Sequence, residues 1–221
     1  VGLHLPLDGH NLQNERFREQ LDASEPLKKQ MWQQTITSKI LGQASILKEQ
    51  GVESQNMLAW AKSVRSGDVE NMEGRAAAYY WRNVFHNSDF VRGQEGDPPN
   101  NLLNYGYAIV RAIVARALVA AGLLPTLGFH YHNRYNAYCL ADDIMEPYRT
   151  FVDRLVIDMM KRYEDISELN TEMKRDLLML AYTDVIIDGR RSPMQIAIQT
   201  TANSVYKCFS GEARKIIYPD W

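Results

Sequence analysis

The chain has 221 residues, enough to bury one large core. Hydrophobic residues make up 45% and charged residues 24%, the proportions of a folded chain rather than a disordered tail. A net charge of -2 excludes a uniformly basic nucleic-acid binder, so any phosphate-binding surface has to be local.

Cys139 and Cys208 show no paired metal-type spacing and fit a reducing, cytoplasmic setting with buried thiols. The longest apolar run, 102–129, is interrupted by Arg111 and Arg116. A bilayer centre would penalise both, so the run reads as a buried helix and no membrane is expected.

Residues 1–9 alternate apolar residues with breakers, like a sheet edge or an extended connector. Their apolar start at Val1 reads as cut from something longer. Residues 11–22 read as a polar helical link. Ser24 is a candidate N-cap with Pro26 just inside, opening a helix that runs to about Gln50 and stops at Gly51. Trp32, Ile36, Ile40, Leu41 and Leu47 form its apolar stripe. A helix over 55–65 follows, and Asp68 can cap the next, over 69–86. The polar, proline-bearing segment 94–100 is the clearest loop. A long apolar helix is expected over 101–122, a non-helical connection over 125–139, and helices over 142–164, 172–187 and 193–209. The picture is mainly α, a multi-helix domain preceded by a short strand-like linker.

Residues 128–149 pack His130, His132, Arg134, Asp142, Asp143, Glu146 and Arg149 into one stretch. On a helix, Asp142 and Asp143 each lie one turn before Glu146, so the three acids crowd one side. Crowded carboxylates need a cation, a proton or an arginine among them. Hard oxygen donors beside imidazole suit Mg²⁺ or Mn²⁺. Acids in a first helical turn are also common for their effect on the helix dipole, so this cluster alone does not decide. Between Tyr105 and Ala141 there is no acid, while Arg111, Arg116, Arg134 and both histidines fall there. That suits a polyanion, and equally a buried helix. On residues 72–81, Glu73, Ala77 and Tyr80 share a helical face, and a half-buried Glu73 would need a cation. Tyr79, Tyr80, Trp81, Tyr105 and Tyr107 fit either a core or a base-stacking role.

Glu-Gly-x-x-Ala-x-x-Tyr-Trp at 73–81, Asn-Leu-Leu-Asn-Tyr-Gly-Tyr at 101–107, Leu-Pro-x-Leu-Gly at 124–128 and Asp-Ile-Met-Glu-Pro-Tyr-Arg at 143–149 together resemble the CRISPR-associated integrase family, the Cas-one endonucleases. The wording of 133–136 and 144–149 is most similar to members that accompany type II systems. The resemblance implies that residues 1–22 end an N-terminal β-domain and its linker, and that 23–221 form the family's helical catalytic domain. It implies insertion of new spacers into the repeat array, a 3′-hydroxyl attacking a phosphodiester. Glu73, a histidine and Glu146 would hold a divalent metal. The histidine's place, three residues after Gly128, is taken by Tyr131, which leaves His130 and His132 as replacements. Arg75, Arg82, Arg134 and Arg149 are the candidate DNA contacts. Implied partners are prespacer and repeat DNA, a second copy of the chain, a small ferredoxin-like adaptation protein, and the RNA-guided effector nuclease of the locus. The alternative is a catalytically inactive helical DNA-binding or scaffold subunit. A His-Asp metal hydrolase is set aside because no His-Asp dipeptide occurs.

Overall fold

The computed structural model describes residues 12–86, 90–93 and 96–221. Among these the chain is mainly α-helical with one short β-hairpin. The strand-like start expected at 1–9 lies outside the described residues, as do positions 94 and 95 of the expected loop.

The polar link is helix α1, Gln13–Asp22. It is tied down by backbone carbonyls: Arg16 Nη1 donates to Ala121 O at 2.6 Å, and Gln20 Nε2 donates to Leu124 O and Leu127 O. Helix α2, Glu25–Glu49, starts where Ser24 Oγ accepts the Leu27 amide and stops before Gly51, whose φ of 75° only glycine adopts freely. Its expected stripe is buried, except for a half-exposed Leu41. Met31, Ala44 and Ile46 on other faces are buried too, so α2 is a central helix rather than an amphipathic cover.

After α3, Gln55–Ser63, helix α4 spans Met72–Asn83 and begins three residues later than expected. Asp68 still serves as a cap, accepting the amides of Met72 and Glu73, while the left-handed Asn71 accepts that of Gly74. Helix α5, Asn100–Ala120, is long and apolar enough to cross a bilayer, yet it packs against α6, α7 and α9 in the protein core.

Two expectations need correction. The helix expected over 142–164 is α6, Cys139–Met145, then a 3₁₀ turn Glu146–Tyr148, then α7, Arg149–Arg162. Pro147 brings no amide hydrogen and crowds the preceding turn, so the chain tightens there and turns Glu146 inward. The helix expected over 172–187 stops early. Helix α8 is Thr171–Leu178, followed by a 3₁₀ turn and the antiparallel strands β1, Asp184–Ile187, and β2, Arg190–Pro193. Asp188 and Gly189 both have positive φ, the primed turn that a two-residue hairpin loop takes. Helix α9, Met194–Phe209, then packs on α5.

Candidate active site

Glu73 on α4 and Glu146 in the 3₁₀ turn come from distant parts of the chain, and one ammonium group joins them. Lys39 on α2 places Nζ 2.6 Å from Glu73 Oε1 and 2.7 Å from Glu146 Oε2. Arg149 Nε adds a second cation, 3.0 Å from Glu146 Oε1. Burial opposes charge on Glu146, but Arg149 and Lys39 outweigh it and lower the carboxyl's pKa. Burial likewise opposes the Lys39 ammonium, and the two glutamates prevail and raise its pKa. The glutamates differ in access: the Glu146 side chain is 2% exposed and that of Glu73 22%.

Lys39 was not anticipated from sequence. It sits between the core residues Ile36 and Ile40, and the apolar stripe of α2 drew attention away from it. The signal existed: Lys39 is the only charged residue between Gln30 and Lys48. A lone charge on a buried helix has to meet a partner.

The segment after Gly128 is shaped by Asp143. Its Oδ2 accepts the amides of Phe129 and His130, and its Oδ1 accepts that of Tyr131. Burial pushes this carboxyl up to about 7 against the pull of those three amides. Gly128 allows the close fold, because a Cβ there would stand 2.6 Å from Tyr131 O and 2.8 Å from Asp143 Oδ2. Tyr131 then points toward the acids, its hydroxyl 3.5 Å from Glu146 Oε1. Burial and the two glutamates keep the phenol protonated.

His130 and His132 do not join the glutamates. The His130 ring lies flat on Trp32, centroids 3.7 Å apart, and His132 Nδ1 turns back to His130 O at 2.5 Å. The acids expected to crowd one side have separate partners as well. Asp142 pairs with Arg111 at 2.6 Å and with Asn136, Asp143 holds the loop, and only Glu146 faces Lys39. Among the described residues, no three of His, Cys, Asp and Glu come together in a way that could hold a metal ion. A phenol is a poor donor to a hard cation, and Lys39 already stands between the carboxylates. The residues present therefore do not fit the expected Mg²⁺ or Mn²⁺ centre with a histidine from position 130 or 132.

A second buried acid lies behind the first group. Asp153 on α7 accepts the hydroxyls of Tyr80, at 2.8 Å, and Tyr107. Burial raises its pKa to about 6, with both phenols pulling the other way. These tyrosines are thus core hydrogen-bond donors, and no base can stack on Tyr80 as it stands. In front, Lys39, Arg92, Tyr107, Glu146, Arg149 and Asp153 line a cavity of about 290 Å³. Arg92, Tyr107 and Arg149 also line a wider one of about 680 Å³, reached by Arg111, Asn136 and Tyr131. Arg92 was not anticipated; it donates to Asn100 Oδ1 and Asn104 Oδ1. Of the expected DNA contacts, Arg149 lines both cavities. Arg75 and Arg82 are exposed on α4, and exposed Arg134 donates to Tyr135.

The family model for CRISPR associated protein Cas1 matches residues 7–178. The chain belongs to the Cas1 family. A CRISPR-associated endonuclease Cas1 of Neisseria meningitidis serogroup C (strain 8013) is 36% identical over 205 residues, 92% of this chain and 67% of the relative. One from Francisella tularensis subsp. novicida (strain U112) is 31% identical over 158 residues, but the match spans only 49% of its length. Among solved structures, a casposase bound to integration product superposes with a TM-score of 0.80 at 22% identity, covering 98% of this chain and 70% of that one. A Cas1 protein from Thermotoga maritima gives 0.71 at 18% identity over 92% of this chain and 70% of that one. At these identities the solved structures show a shared fold, and the mainly helical architecture is that of Cas1.

Proposed function

We propose that this chain is the helical unit of a CRISPR adaptation integrase, handling DNA ends during insertion of new spacers into the repeat array. The observation that supports it is that Lys39 joins Glu73 to Glu146, and that Glu146 lines a cavity together with Arg92 and Arg149. Similar proteins include a CRISPR-associated endonuclease and a casposase bound to integration product, which supports DNA as the substrate. The reaction is transesterification: a DNA 3′-hydroxyl attacks a phosphodiester, a new P–O bond forms, and the bond to the target strand's own 3′ oxygen breaks, that oxygen leaving as a hydroxyl with a proton from solvent.

This chain's own residues supply binding and charge. Arg92, Arg111 and Arg149 hold backbone phosphates along the groove. Lys39 and Arg149 set positive charge beside the phosphorus as negative charge builds on its oxygens. Glu73, the more accessible carboxylate, takes the proton of the attacking hydroxyl. Buried Glu146 positions Lys39 and Arg149. The donor set does not fit a divalent ion, so no step is assigned to one.

The wording of residues 133–136 and 144–149 resembles members that accompany type II systems, and the Neisseria relative supports that reading. Partners in this reading are prespacer and repeat DNA, a second copy of the chain, a small ferredoxin-like adaptation protein and the effector nuclease, all cytoplasmic. A structurally similar chain is resolved in a Cas6-RT-Cas1–Cas2 complex, which supports another Cas protein as a partner. Residues 23–221 carry the DNA-handling unit in this reading.

A second reading, a DNA-binding subunit without strand transfer, is favoured by one observation: Tyr131 stands at the family's histidine position. A supercoiled plasmid carrying the repeat, incubated with the chain and a short duplex, separates the two. Covalent joining of the duplex to the plasmid supports the integrase, and binding without joining supports the subunit.

A further inference from the structure

We infer that Lys39 is the resident cation of this centre and keeps divalent ions out of it. The inference rests on the proposed reading only in taking Glu73 and Glu146 as the functional pair. It runs against the metal that the family resemblance implies.

Four observations on the chain's own residues carry it. The carboxylate oxygens stand 2.6 and 2.7 Å from Nζ, which are ammonium distances; Mg²⁺ holds oxygen at about 2.0–2.1 Å. Charge is already balanced, since two carboxylates face Lys39 and Arg149. Adding a divalent ion would leave an excess of two positive charges in a buried space, unless Lys39 left.

Leaving is hard for Lys39. Its stem rises from the middle of α2, beside buried Ser38, Ile40 and Gln43, and its side chain is 12% exposed.

The fourth observation is that, among the described residues, no third carboxylate is free to join the pair. Asp68 is committed to the amides of Met72 and Glu73, Asp143 to three loop amides, and Asp142 to Arg111 and Asn136. Asp153 is held by two tyrosines, and the residue facing Glu146 from the loop is a neutral phenol. A Tyr131→His change restores an imidazole there but leaves the ammonium in place. The lysine, more than the missing histidine, then sets metal affinity.

The test is Mn²⁺ binding read by electron paramagnetic resonance, independent of any activity. Wild type and Tyr131→His are expected to show only weak, non-stoichiometric binding. Lys39→Met is expected to bind one Mn²⁺ about tenfold or more tighter, the gain being lost again with Glu146→Gln added. Stoichiometric micromolar binding by wild type, abolished by Glu146→Gln, overturns the inference. So does a folded Lys39→Met that binds no better than wild type. If Lys39→Met does not fold, Lys39→Arg keeps the charge and must exclude Mn²⁺, and tight binding by it overturns the inference equally. DNA binding measured by fluorescence anisotropy in EDTA reports on the proposed function separately. Its loss counts against the DNA reading and leaves the role of Lys39 to the Mn²⁺ titration.

Discussion

The Tyr131 hydroxyl faces Glu146 Oε1 across 3.5 Å, so the residue at the family's histidine position does reach the acid cluster. It arrives as a neutral donor and not as a metal ligand. The flanking imidazoles have other partners, His130 the Trp32 ring and His132 the His130 carbonyl, while Asp143 curls the backbone between them by accepting three consecutive amides.

Glu146 is the keystone of the charge cluster. Glu146→Ala removes Arg149's carboxylate partner and one of the two on Lys39, within a site the protein closes off. A loss of about 3 kcal/mol is expected in urea unfolding, and a smaller loss for Glu146→Gln, which keeps a hydrogen-bond acceptor. Because its pKa is lowered by folding, the stabilisation is present above the carboxyl's ordinary range and fades as pH falls below it. Equal stability of wild type and Glu146→Ala at neutral pH would show that the pairing contributes nothing.

Asp153 has the opposite sign. Its folded pKa of about 6 lies above the ordinary 3.8, so the folded state holds the proton between those values. Its contribution to stability declines as pH rises through that window and levels off above about 6. Asp153→Asn mimics the protonated acid and lacks the titration. Wild type should lose ground to the variant by at most about 3 kcal/mol between pH 4 and pH 7. A stability difference that stays flat with pH would mean that Asp153 ionises as it does in the unfolded chain.

Gly128 tests the loop itself. A methyl group at this position meets backbone at Tyr131 O and the Asp143 carboxylate, neither of which can rotate aside. Gly128→Ala should cost about 1–3 kcal/mol. Crosslinking or near-ultraviolet circular dichroism should report a displaced Tyr131 ring. An unchanged spectrum and unfolding midpoint would show that the segment has room the geometry denies.

Much of this was legible in the residues, and the failures share a cause. Ser24, Pro26 and Gly51 mark the ends of α2 through local backbone chemistry, which a sequence displays directly. Glu73 and Glu146 were legible as a pair through motif order, while Lys39 was not, because pairing across helices depends on which way α2 faces. The hairpin after α8 was missed although Asp188-Gly189 between isoleucine and arginine pairs is a turn signal. The helical preference of the residues before it hid the change of period. Asp142, Asp143 and Glu146 share helical spacing, yet the bend at Pro147 and three separate partners send them apart.

The arginines divide into those held by the protein and those left for DNA, and salt dependence should distinguish them. Arg149 is bound to Glu146 and lies over the Tyr107 ring, 4.7 Å from its centroid. Arg149→Ala should therefore lower stability as well as DNA affinity. Arg134 is exposed, with its guanidinium over the Tyr135 ring beside it. Arg134→Ala should leave the unfolding midpoint unchanged within about 0.5 kcal/mol. It should weaken DNA binding uniformly across sequences and reduce the slope of log affinity against log salt by about 1, as the loss of one phosphate contact does. Fluorescence anisotropy over a salt series measures both effects. An unchanged slope for Arg134→Ala would remove that end of the segment from the DNA path and leave the groove of Arg92, Arg111 and Arg149 as the surface that carries it.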